Sequence, residues 1–135
     1  MKQLIWILAT VLTLVACNNS GAYTKAEDAQ DAARKFIEAS LKGDYDRASF
    51  YMYQDSAGVN NMLLNTLRNK YNQRPQDDKV RLQSASIIVL NTENLTDSTL
   101  KYMYRTSYQK DTTQLQIVKA NGEWVVDLKK TFIKE

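Results

Sequence analysis

The chain has 135 residues, with 18 Lys and Arg against 15 Asp and Glu, no His, one Cys and one Pro. A formal charge of +3 with both signs mixed along the chain, and no basic block beside stacking aromatics, excludes the usual footprint of a nucleic-acid binder. A lone Cys without any His excludes an internal disulfide and the common sulfur or imidazole metal sites, so neither metal nor cofactor is expected.

Residues 1–16 read as a secretory leader. Lys2 supplies the positive start, Leu4 to Val15 the apolar stretch and Ala16 the small residue at the cut. Twelve residues span roughly 18 Å as a helix, short of the roughly 30 Å hydrocarbon core, so a transmembrane helix fits less well. Leu14-Val15-Ala16-Cys17 resembles a bacterial lipobox. That resemblance implies cleavage after Ala16, a diacylglycerol thioether on the Cys17 sulfur and acyl chains enough for stable anchoring. Residues 17–23 then form a lipidated tether and 24–135 a single domain, a length suited to one core. Asn18 to Tyr23 contains no acidic residue. By resemblance to sorting signals, this implies the cell envelope of a Gram-negative bacterium, on the outer membrane and facing the periplasm.

Thr24 and Glu27 stand in a capping-box relation at the start of a first helix, and Gly43 fits the left-handed position after its end near Lys42. Ala29, Ala33, Phe36, Ile37, Ser40 and Leu41 form its apolar face. Asp44 is the expected cap of a short helix running to about Tyr53. Asp55 or Ser56 should cap a third, in which Val59, Met62, Leu63, Thr66, Leu67 and Tyr71 recur at helical spacing until Pro75.

From Lys79 the period changes. Val80, Leu82, Ser84, Ser86, Ile88 and Leu90 alternate as a strand would, after Asp77-Asp78 in an expected loop, and Leu100, Tyr102, Tyr104, Thr106 and Tyr108 alternate in the next. Asn121-Gly122 between apolar alternations predicts a type I′ hairpin. Its register pairs Ala120 with Glu123, and puts Leu115, Ile117, Trp124, Val126 and Leu128 on the face that meets the helices. Val118 and Val125 pair on the other face, which is expected to be partly covered.

Helices followed by a four-stranded antiparallel meander define an α+β fold. The runs Lys35-Phe36 through Leu41-Lys42-Gly43-Asp44-Tyr45-Asp46-Arg47-Ala48 and Asn121-Gly122-Glu123-Trp124-Val125-Val126-Asp127 resemble small lipoproteins of unknown function with a cone-shaped, nuclear transport factor two-like (cystatin-like) domain. The resemblance implies N-terminal helices packed on a curved sheet. It also implies a choice between a non-enzymatic module, binding a partner protein or small apolar ligand, and an isomerase- or dehydratase-like enzyme working in the hollow of the cone. Tyr102 or Tyr104 with Asp127 is the pocket group for the second; the first is preferred, because strand tyrosines usually pack and strand-end aspartates are usually solvated. Asp55-Ser56-Ala57, Asp97-Ser98-Thr99 and Asp111-Thr112-Thr113 resemble a bacterial O-glycosylation acceptor, making Ser56, Ser98 and Thr112 candidate modification sites, although Asp before Ser or Thr is also ordinary turn chemistry.

Overall fold

The computed structural model describes residues 23–133, so the expected leader, Cys17 and all of the tether but Tyr23 lie outside the described residues. The first helix, α1 (Ala29–Leu41), begins about one turn later than Thr24 and Glu27 predict. Asp28 takes the cap instead. Its Oδ1 accepts the Asp31 N–H at 2.7 Å, while Asp31 Oδ2 accepts the Glu27 N–H at 3.0 Å. A carboxylate satisfies the orphan donors and also meets the positive end of the helix, which a Thr hydroxyl does not. Ala29, Ala32, Ala33, Phe36, Ile37 and Ala39 are buried, while Ser40 and Leu41 are only half-buried. Four small side chains on that face let the helix approach the sheet closely.

Gly43 at φ +73° turns the chain, and Asp44 N–H donates to Ala39 O at 2.9 Å. Asp44 caps α2 (Tyr45–Phe50) as expected, accepting the Arg47 N–H at 3.1 Å. This helix stops short of Tyr53 because the chain straightens to bond the sheet. Tyr53 N–H donates to Val126 O and Val126 N–H to Tyr51 O, both at 2.8 Å. In α3 (Val59–Asn72) Gly58 occupies the cap position, while the Asp55 carboxylate accepts the Val59 and Asn60 N–H groups at 3.0 and 2.9 Å. The buried stripe is rotated from the expected one. Asn60, Leu64 and Tyr71 are inside, whereas Met62 is 60% exposed.

The expected strand at Val80 to Ser84 is a helix. α4 (Gln76–Gln83) starts behind Pro75 and carries Asp77 and Asp78 in its first turn, where carboxylates complement the helix dipole. Only Leu82 of α4 is buried. Tyr108 Oη donates to Asp78 Oδ1 at 2.8 Å, tying the helix to the loop that follows the second strand.

The sheet is β1 (Ile87–Thr96), β2 (Thr99–Thr106), β3 (Thr113–Ala120) and β4 (Glu123–Val126), antiparallel in the order β1-β2-β3-β4. The hairpin register is the expected one: Ala120 faces Glu123, Lys119 faces Trp124 and Ile117 faces Val126. Asn121 and Gly122 have φ of 52° and 77°. Leu100, Tyr102, Leu115, Ile117 and Val126 turn inward onto α1 and are buried, each worth about 1.5 to 3 kcal/mol for an aliphatic side chain. Val118, paired with Val125, is buried on the outer face. Trp124, expected in the core, is half-buried at its margin, with Lys119 Nζ 5.7 Å from its ring. Leu128 is buried as expected, but as the first residue of a fifth helix, α5 (Leu128–Phe132), instead of a strand residue opposite Leu115. Among the described residues the fold is thus five helices over a four-stranded sheet, and no helix is long and apolar enough to cross a membrane.

Candidate functional site

Two hollows bear on the residues that sequence reasoning singled out, one lined by Asp127 and the other by Tyr104. The larger, about 850 Å³, is a groove between the start of α3, the β1–β2 turn and α5. Asp127 forms part of its floor. Where β4 ends, Asp127 N–H donates to Gln116 O at 2.9 Å, and its Oδ1 accepts the Lys130 N–H at 3.2 Å, capping α5. Asn60, fully buried, donates through Nδ2 to Asp127 Oδ1 at 3.3 Å and accepts the Lys129 N–H at 2.9 Å. Asp55 lies at the other end of this chain of bonds. The Asn60 N–H it accepts holds its carboxyl below the ordinary value, slight burial opposing and the Val59 N–H assisting. The Asp127 carboxylate is therefore committed to bonds that build the α3–α5 junction. Leu95 and Ile133, each 44% exposed, give the groove an apolar rim, and Lys129 and Lys130 a basic one.

The smaller hollow, about 160 Å³, opens between α1, α2, α3, α4 and β2. Tyr104, Tyr45, Tyr71, Leu82 and Lys70 line it, and none of its lining residues is Asp or Glu. Tyr102 lines neither hollow; it is buried beside Tyr104, ring centroids 6.1 Å apart. Tyr104 and Asp127 therefore open onto different hollows. Burial pushes the Tyr104 hydroxyl up to about 12, a bond to Thr113 opposing. Burial, aided by Tyr71, does the same for Tyr45. Burial also raises Tyr102, with Arg34 opposing.

No protein-family model matches the chain, and no curated protein matches it. Among solved structures it is similar to an NTF-2-like protein of unknown function from Shewanella oneidensis MR-1, with a TM-score of 0.50 and 18% identity, over 72% of this chain and 89% of that one. The fold is NTF-2-like.

In this NTF-2-like cone the interior is largely filled by the chain's own side chains, with Phe36 buried and Leu63 and Trp124 packed against the core from its margin. Burial of these tyrosyl hydroxyls favours their protonated form, which can donate a hydrogen bond inside the remaining hollow. Among the described residues no group of three or more acidic side chains is gathered as a metal site. Ser56, Ser98 and Thr112 are all exposed, in the turn before α3, the β1–β2 turn and the β2–β3 loop. Sequence reasoning missed Asn60. Its signal was a polar residue spaced four from Leu64 and eleven from Tyr71, on the stripe those two define.

Proposed function

We propose that the chain is a lipoprotein held through Cys17 on the periplasmic face of a Gram-negative outer membrane, and that its NTF-2-like domain is a binding module for a partner protein or a small apolar ligand. The observation that carries the binding reading is the contrast between the two hollows. The smaller hollow has about 160 Å³ without a carboxylate, whereas the groove beside α5 offers about 850 Å³ with Leu95 and Ile133 exposed at its rim. A cleft of that size is within the usual range for a binding site, here with an apolar and basic rim over a largely polar lining. Isomerase or dehydratase chemistry calls for a general base at the reacting carbon, and no carboxylate lines the smaller hollow to serve as one. The lipid reading is supported by Leu14-Val15-Ala16-Cys17.

Two measurements test the proposal. Radiolabelled palmitate should enter the wild-type chain and not Cys17→Ser, since serine cannot form the thioether; label in the variant at wild-type level counts against anchoring. An environment-sensitive apolar dye should bind saturably and lose most of its affinity in Leu95→Glu. Undiminished binding in that variant would remove the groove from the argument.

A further inference from the structure

Where the described chain begins bears on how the domain sits on its membrane. Tyr23 packs its ring 5.5 Å from that of Phe50, which is 41% exposed, and both line a surface hollow of about 660 Å³ with Tyr53 and the β3–β4 turn. Tyr51 Oη donates to Thr24 O at 2.7 Å and Lys25 pairs with Glu123, so this entry point is fixed to the hairpin end of the sheet. Beside it lies a second hollow, lined by Tyr23, Thr24, Lys35, Asp44, Arg47 and Tyr51. Arg47 forms no ion pair among the described residues, and its Nε is shielded from solvent without a hydrogen-bond partner.

We infer that the face presenting Tyr23, Phe50, Tyr53 and Arg47 rests on the phospholipid surface. This rests on the lipid anchor at Cys17 proposed above. From Cys17 to Tyr23 the chain reaches at most about 20 Å fully extended. A domain of this length is roughly 35 Å across, so Tyr23 can stand no farther from the surface than slightly past the domain's midplane, which keeps it from the far end. Within that reach, the rings of Tyr23, Phe50 and Tyr53 suit the interfacial zone, and Arg47, outside the ion pairs of the described residues, suits a lipid phosphate. The β2–β3 loop then points away, because the eight residues of β3 place it roughly 24 Å from the hairpin turn. The smaller hollow and the β2–β3 loop with Thr112 would be left facing the aqueous side.

The test uses the full lipidated chain, in which the Cys17 sulfur is a thioether and an introduced Cys is the one free thiol. Gln54→Cys, on the proposed face, and Lys110→Cys, in the β2–β3 loop, are labelled with one fluorophore. Each is reconstituted in phosphatidylethanolamine and phosphatidylglycerol vesicles carrying a nitroxide on the headgroup. Quenching should be several-fold stronger at position 54, and Phe50→Glu should reduce it there without changing palmitate uptake. Equal quenching at both positions, or stronger quenching at 110, in protein that carries palmitate overturns the orientation and leaves the anchor standing. Wild-type chain that takes up no palmitate overturns both.

Discussion

Gly43 is where a single missing methyl group shapes the most structure. Its φ of +73° disfavours any side chain, and a Cβ there would come within 2.8 Å of the Tyr71 ring carbon Cζ. Gly43→Ala is expected to cost about 2 to 4 kcal/mol, combining the left-handed penalty with displacement of a packed ring, as read from urea unfolding. A cost under about 1 kcal/mol would mean that the ring moves freely. Asn60 is the polar counterpart. Asn60→Ala leaves the Lys129 N–H without its acceptor and Asp127 without one donor, an expected loss of about 2 to 3 kcal/mol. Gly43 was legible because a glycine closing a periodic run has a specific backbone use. Asn60 was not, because its partners Asp127 and Lys129 N–H are remote in sequence and an asparagine on a helix is usually solvated.

At the level of elements, local chemistry decided what could be read. Asn121-Gly122 carries its own turn geometry, so the β3–β4 register follows without knowledge of the rest. α4 failed the same test, because Val80 and Leu82 around Arg81 imitate a strand over so short a stretch, and Pro75 reads equally as a stop or a start. The two assignments differ in energetics. A strand would place Val80 and Leu82 on one face, so that both truncations would be costly. The helix sets them about 200° apart, with Leu82 buried and Val80 exposed. Leu82→Ala should therefore cost about 2 to 3 kcal/mol and Val80→Ala under about 0.5 kcal/mol by urea titration. Similar losses for the two would favour the strand. α5 escaped notice because Leu128 satisfies the sheet alternation, while the Asp127 cap that turns the chain is recognisable only once Asn60 holds it.

Across the molecule, the helical layer and the sheet meet at the smaller hollow, and its two most perturbed tyrosines report on that closure. Tyr45 comes from α2 and Tyr104 from β2, and burial raises both hydroxyls to about 12. The alternating strand pattern made the inward direction of Tyr104 legible, but how completely the helices cover it is a property of the assembled layers. In the unfolded chain both would ionise near 10. Between about pH 10 and 12 the folded state therefore holds more protons than the unfolded state, so stability present below pH 10 is lost as pH rises through that window. Tyr45 and Tyr104 should ionise together with global unfolding, because burial disfavours a phenolate in the hollow. Near-ultraviolet absorbance followed beside far-ultraviolet circular dichroism would show tyrosine ionisation above about pH 10 coincident with loss of helix signal. Complete ionisation near pH 10 in a chain that keeps its dichroism would mean that water already reaches both hydroxyls, and that the cone is more open than its packing implies.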